Sequence, residues 1–502
     1  MRPDIGLAFR QGTLYPEAPF HPPAVFPEFM GSYLSKGPLD STNYVYSMVR
    51  EALFRHLGSY DAKTRMVDLS ALRGIGDIRK VVVKPNWVIQ EQMPTRCVTT
   101  HASVLRPIID YLFLAFGPSI EIIVADIPLQ SADIDQIWNE TGVIQLREHY
   151  NVQGLMVRFM DFRRERALID RSGFISRREP LQGDSLGYVE VCLDGNSLLE
   201  EISDNNPVFS VNDYEPGTTS CYHQPGHHRY LIPRTVLAAD LFVNVPKLKT
   251  HCKAGITAAM KNLIGINGEK GWIPHFRTGA PLDGGDEYPD GNRHALALKT
   301  RIRNFLQGRN RWAFHIASDM WMRYKRGWER VSGSFMTSGG AWPGNDTLWR
   351  SILDLVRIIE YADKDGRLRE TSQRYHLCVI DAVVCGEGEG PLRPSPKAVG
   401  MILCSSSPIN ADIAACQIAG FDWKKIPQLF HTGKLIELSR QYLGDPMSLM
   451  VSWNGMDLWT PVRELPVCPL KPPPGWAGRI EVDQFGPRSE VRNQPVAEVH
   501  LP

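Results

Sequence analysis

Residues 239–265 read ADLFVNVPKLKTHCKAGITAAMKNLIG, and the rest of the chain is best understood outward from them. Leu241 to Val245 is a short apolar, β-branched run, the pattern of a strand buried on both faces. Pro246 ends it. Lys247, Lys249, His251, Lys253, Lys261 and Asn262 then arrive within sixteen residues. The spacing predicts a turn and a helix, with Ile256, Ala259, Met260, Leu263 and Ile264 on the helix's buried face. Cations and an imidazole at the start of a helix suit an anion or a nucleotide, because the helix start adds free N–H donors and a positive dipole end. A solvated basic turn has the same composition, so the neighbouring segments must decide.

Upstream, Lys80 to Lys84 (KVVVK) reads as a buried strand, and Pro85-Asn86 opens a loop at its carboxyl end. Thr99, Thr100 and His101 precede a helix carrying Val104, Leu105, Ile108, Ile109, Leu112 and Phe113. Ile120 to Ala125 is the next strand, ending at Asp126, and a helix is expected from Ile134 to Glu148. Strand, helix, strand, helix at this spacing implies right-handed crossovers and a parallel sheet. Ligands of such sheets sit beyond the carboxyl ends of the strands. Lys84, Asn86, Thr100, His101, Asp126 and the residues after Val245 all fall there.

Downstream, Asp346 is expected to cap a helix bearing Leu348, Ile352, Leu355, Val356 and Ile359. His376 to Val384 is a strand, followed by GEGEGP with Glu387 and Glu389, then a strand at Met401 to Cys404 and a helix from Asn410. The fold class is therefore α/β: a Rossmann-like, mostly parallel sheet with helices on both faces, plus a β-rich excursion and a loop and helix insertion. The segments are an N-terminal arm and helix (1–78), a first α/β half (79–266) with the excursion at 151–232, an insertion (267–345), a second half (346–440) and a Pro-rich tail (441–502). The arm is read as extended apart from a helix at Asn43 to Leu57, capped by Ser41 or Thr42. The insertion, with His275, Asp283, Asp286, Glu287, Asp290 and His294 among Gly and Pro, is either a solvated loop or a lid. Its tryptophan- and arginine-rich part, Phe305 to Trp328, reads as core packing rather than base stacking. His223, His227 and His228 read as a polar loop in preference to a metal site, with only Cys221 near ligand spacing.

A net charge of +1 gives no footprint for nucleic acid or an anionic membrane. No apolar run approaches the ~20 residues that span a bilayer, and the N-terminus lacks an apolar signal core. A cytoplasmic protein with a small-molecule partner is expected. None of the nine cysteines pairs at C-x-x-C spacing, which argues against a zinc knuckle or a local iron–sulfur motif.

Several blocks carry a family resemblance: VVVKPNW at 81–87, TTH at 99–101, ADIP at 125–128, ADLFVNVPKLKTH with MKNLIG at 260–265, GNDTLWR at 344–350, IDAVVCGEGEGP at 380–391 and NADIAACQIAGFD ending at Asp422. Together, over roughly 80–430, they resemble the family named domain of unknown function 362. That resemblance implies a fold and a site rather than a reaction. Some relatives carry ferredoxin-like cysteine repeats; this chain lacks them, so an iron–sulfur cluster is not expected. His251 through Ala254-Gly255-Ile256-Thr257 to Lys261 also resembles the H-x-x-A-G-(F/Y)-S-G-G-x-K stretch of the lactate-racemase-like family. There the histidine is an acid/base and the lysine holds a nickel-pincer nucleotide. Here Ala258-Ala259 stands in place of Gly-Gly, and Asp126 stands near the place of that family's other acid/base histidine.

The expected site joins these ends. Lys84, Asn86, Thr100, His101, Lys247 and Asn262 would bind substrate or cofactor. His251 would be the general acid/base, since an ordinary pKa near ~6.5 permits both roles. Lys249 is the alternative if burial lowers its pKa, and Lys261 completes the catalytic set. Asp126, Glu387 and Glu389 offer hard oxygen ligands to a divalent metal. The expectation is an isomerase- or epimerase-like enzyme for a small anionic metabolite: phosphorylated, carboxylate or sugar-type. A non-catalytic nucleotide- or metabolite-binding accessory protein is the alternative. A redox protein using Cys252 is a third reading, because Lys249, Lys253 and a helix start would lower a thiol pKa.

Overall fold

The computed structural model describes residues 2–482 except 92, 171–174, 205–206, 215–216, most of 307–336, 436–444 and 456–458. Most of the stretch from Phe305 to Trp328 thus lies outside the described residues. The strands of the main sheet are β1 (Ile5–Phe9), β2 (Lys80–Pro85), β3 (Glu121–Asp126), β4 (Val157–Asp161) and β5 (Leu241–Val245). They continue as β6 (Lys247–His251), β7 (Gly255–Thr257), β8 (Tyr375–Glu387), β9 (Ser395–Ser405), β10 (Met450–Trp453) and β11 (Thr460–Pro461). The order is β11-β10-β1-β9-β8-β5-β2-β3-β4, with β6 on β8 and β7 on β6.

The core of this sheet is parallel. β5 runs with β8 on one side and β2 on the other, and β2-β3-β4 continue in the same sense. These strands are buried apolar runs because both faces are covered. Val81, Val83, Leu241 and Val243 face one core with the helices Tyr44–His56 and Ala102–Phe116. Val82 and Phe242 face the other, with the helices Leu348–Tyr361 and Pro408–Ala419. From β2 the chain steps outward through β3 to β4, then crosses back to β5 on the opposite side of β2. The strand order therefore reverses between β2 and β5, where a doubly wound sheet opens a crevice for ligands.

Several expectations need correction. The basic stretch after Pro246 is not a turn leading into a long helix. Lys247–His251 is a strand paired with β8, and it turns back through Gly255 (φ 76°) into β7. Only Ala259–Asn262 is α-helical there. Pairing with β8 supplies the hydrogen bonds that the polar sequence KLKTH does not announce. The N-terminal arm holds β1 inside the sheet, and the tail contributes β10 and β11. The helix expected at 134–148 is two helices, Ile134–Thr141 and Val143–Val152, broken at left-handed Gly142. Asn43, rather than Ser41 or Thr42, caps the first helix. Asn345 accepts from the N–H groups of Thr347 and Leu348, while Asp346 pairs with Arg350.

The excursion forms small sheets of its own, Glu165–Ile169 with Ile175–Pro180 and Tyr188–Cys192 with His227–Pro233 and His223–Gln224. Its histidines lie on that hairpin, with His223 bonded to the Trp272 carbonyl and His228 to Glu200. In the insertion, Asp286 is buried and accepts from Arg277 N–H and from the Thr347 hydroxyl. Of the other acidic and histidine residues there, Glu287 is buried while Asp283, Asp290 and His294 are exposed, so the described part of the insertion is buried at one stretch and solvated at others. Among the described residues, no helix is long and apolar enough to cross a membrane.

Candidate functional site

The site starts where β2 ends. Lys84 is buried against Asp126 at the end of β3, 2.7 Å away. Asp126 also accepts the N–H groups of Trp87 and Ile127. The pair lies directly on Gly265: a Cβ there would stand 2.4 Å from Asp126 Oδ1 and 2.6 Å from Lys84 Nζ. Only glycine leaves that space.

A relay of amides then joins β2, β5 and the Ala259–Asn262 helix. The Asn244 amide donates to the Ala259 carbonyl (2.8 Å), Asn262 donates to Asn244 Oδ1 (2.7 Å), and Asn86 donates to Asn262 Oδ1 (2.8 Å). Because the relay ends on a carbonyl, which only accepts, every amide orientation in it is determined. The short helix is capped from the second half of the chain: Asp412 accepts the N–H groups of Ala259 (2.5 Å) and Met260 (3.1 Å). Burial pushes that carboxyl up to about 8.

Beyond these ends lies a cavity of about 290 Å³. Five lysines line it: Lys84, Lys249, Lys253, Lys261 and Lys270. His251 and His275 join them. The lining carboxylates are Asp126, already committed to Lys84, and Asp213, which is exposed at the rim. Among the described residues Lys249 bonds only the Val98 carbonyl and Lys270 only the Ile264 carbonyl. Lys253 lies 5.3 Å from the Phe276 ring centroid. Among the described residues, Lys261 has no hydrogen bond or ion pair. Buried cations without a carboxylate partner disfavour their own charged form. Burial lowers Lys249 to about 7, Lys261 to about 7 and Lys270 to about 8. The crowding of Lys270, Lys249 and Lys253 pushes Lys261 further the same way.

The histidines are neutral. Burial, then Lys261 and Lys253, hold His251 well below its ordinary value, and His275 behaves alike. His251 Nδ1 accepts the N–H of Lys253 (3.1 Å), so the ring proton sits on Nε2. His275 Nδ1 faces the Ile273 carbonyl (2.9 Å), so it carries the proton and leaves Nε2 as an acceptor. The expectation of a His251 titrating near neutrality is therefore corrected: burial first, and the neighbouring lysines after it, disfavour its cation. The condition set for Lys249, lowering by burial, is met. Cys252 lines the same cavity, but burial raises its thiol pKa despite Lys253 and Lys261, which removes the basis for a ready thiolate.

Lys84, Asn86, Asp126, Lys249, His251, Lys261 and Asn262 are brought together as expected. Thr100, His101 and Lys247 are not. Thr100 ties the Val245 carbonyl to Asn86 N–H, and His101 caps the helix Ala102–Phe116 and stacks on Tyr15 at 4.1 Å. Lys247 is fully buried in an ion pair with Asp381 (3.0 Å) and bonds the Tyr15 hydroxyl. Glu387 and Glu389 do not meet Asp126 as a metal set. Glu387 accepts the N–H of Lys471 and faces Lys397, and Glu389 is exposed; the loop sends Pro391 and Leu392 to the cavity instead. Among the described residues, no three His, Cys, Asp or Glu side chains converge as metal ligands. Sequence reasoning missed Lys270, His275, Gln130 and Thr257. Lys270 and His275 sit in what reads as an insertion; their nearness to Lys261 in sequence was the available signal.

The family model for Domain of unknown function (DUF362) matches residues 81–176 and 191–417, a span that includes all five cavity lysines. The chain belongs to that family. No curated protein and no solved structure gave a match.

Proposed function

We propose that this member of the DUF362 family is an enzyme that moves a proton on a small anionic substrate, phosphorylated, carboxylate or sugar-type, as an isomerase or epimerase does. One observation supports the reading above others: Lys249 and Lys261 are buried amines near pKa 7, without a carboxylate partner among the described residues, in a cavity lined by further cations. Near neutrality such an amine exists in both protonation states, which is what a general base that must also return its proton requires. The remaining ammoniums hold the substrate's acid group. The neutral His251 offers Nε2–H to an oxygen that gains charge as an adjacent C–H is deprotonated, a role in which a neutral imidazole serves better than a base. Lys261 takes the proton, and Lys249 serves as the second amine for return. The cavity's volume lies at the bottom of the ~300–1,000 Å³ range of small-molecule sites. That suits one small metabolite rather than a metabolite beside a nickel-pincer nucleotide, and no step above uses that group.

The test begins with native mass spectrometry of the purified protein to find a co-purifying anion. The anion is then incubated with enzyme in D2O. Incorporation of deuterium at carbon, lost in Lys261→Met, is expected. A ligand that binds in the cavity yet never exchanges a carbon-bound hydrogen would make the protein a binder.

A further inference from the structure

Beyond its lysines, the cavity holds polar atoms with no partner. Lys261 Nζ and Thr257 Oγ1 are donors; Asn86 Oδ1 and Gln130 Oε1 are acceptors. The four residues are each at least nine-tenths buried, and Thr257 Oγ1, Asn86 Oδ1 and Gln130 Oε1 have no hydrogen-bond partner among the described residues. A buried polar group without a partner is costly, so three such atoms and an unpaired ammonium around one cavity describe its ligand in negative.

The two acceptors are fixed as acceptors. Asn86 Oδ1 is what remains after its amide nitrogen is spent on Asn262, at the end of the relay from the Ala259 carbonyl. Gln130 donates its amide nitrogen to the Tyr214 oxygen (3.1 Å), and the Tyr214 hydroxyl donates to Glu165 (3.3 Å). A carboxylate only accepts, so the glutamine cannot flip without losing its bond. In the same lining, Lys253, Lys270 and Thr257 supply donors and positive charge. A carboxylate ligand offers one charge and two oxygens. A phosphate monoester offers a charge of about −1.5 to −2 and three oxygens, which matches several converging donors.

We infer that the ligand is a hydroxylated organic phosphate, its phosphate held by Lys253, Lys270 and Thr257 and hydroxyls of its carbon chain donating to Gln130 Oε1 and Asn86 Oδ1. This narrows the substrate class of the proposed function and rests on it: the cavity must first be an anion site. Lys270, lowered to about 8 by burial, must be charged to hold phosphate, so above that pH binding takes up a proton.

Isothermal titration of the whole chain with matched pairs tests it: glycerol 3-phosphate against propyl phosphate, and ribose 5-phosphate against pentyl phosphate, with free ribose as a third probe. At least one hydroxylated phosphate is expected to bind ten or more times tighter than its alkyl match, and free ribose not to bind. Gln130→Met is expected to narrow that ratio to under threefold. Alkyl and hydroxylated phosphates binding equally in both pairs would overturn the inference while leaving the anion site standing. Failure of all four phosphates to bind would overturn the anion reading itself, and the inference with it.

Discussion

Lys247 and Lys249 stand two residues apart on one strand, and both are fully buried. Their surroundings have opposite character. Lys247 meets Asp381 at 3.0 Å and the Tyr15 hydroxyl, in a closed cluster under the His101 ring. Lys249 meets one carbonyl and a cavity. A buried cation persists when a carboxylate compensates it, so Lys247 works as a fastening between β6 and β8. Among the described residues Lys249 has no carboxylate partner, which in the proposed reading an anion from outside supplies. What separates a structural lysine from a functional one here is the partner, not the residue, the strand or the burial.

The largest test of this contrast breaks the closed cluster. Asp381→Ala leaves Lys247 buried and unpaired, and about 3–5 kcal/mol of stability should disappear, seen as a lower urea midpoint. A midpoint equal to wild type would show that the pair is not a fastening. The opposite sign is expected two residues away. Lys249→Met removes an uncompensated amine, so the unliganded protein should gain about 1–2 kcal/mol at pH 6 while the rise in melting temperature given by sulfate shrinks. Loss of stability in Lys249→Met would place Lys249 with Lys247.

The smallest effect is a pH dependence. Lys249 and Lys261 sit near 7 when folded, against 10.5 for an ordinary lysine. Between those values the unfolded chain binds more protons than the folded one, so unliganded stability should rise with pH across that window. Below 7 both states are protonated and the penalty is fully present. Sulfate, whose charge is constant there, should protect most below pH 7 and progressively less as pH climbs past 8. Melting curves at pH 6, 7, 8 and 9, with and without sulfate, give the sign. Equal protection at pH 6 and 9 would mean that the charge of these amines is not felt by an anion in the cavity.

The sequence made the parallel core legible because KVVVK and LFVNV can only be strands covered on both faces. It hid β6, because KLKTH carries no strand signature apart from its partner β8, and it hid β1 and β10, which lie in proline-rich surroundings. Lys84, Asn86, Asp126, Lys249, His251, Lys261 and Asn262 were readable as site residues because they cluster at strand ends and within one segment. Thr100, His101 and Lys247 carried the same local signal; the Val245 carbonyl reveals Thr100 as structural, and Tyr15 and Asp381, far away in the chain, reveal His101 and Lys247. Glu387 and Glu389 misled for a related reason: alternating Gly and Glu after a strand says nothing about which way the loop turns.

The bond between Lys247 and Asp381 spans 134 residues, and that distance has a meaning during synthesis. At ~5–20 residues per second, Lys247 leaves the ribosome on the order of ten seconds before its carboxylate exists. Asp412, which caps the helix beside the cavity, emerges later still. The strand that presents Lys249 therefore has no β8 to join while the first half is already able to form β2, β3 and β5. The place that Lys249 takes beside β8 thus depends on a strand made more than a hundred residues after it.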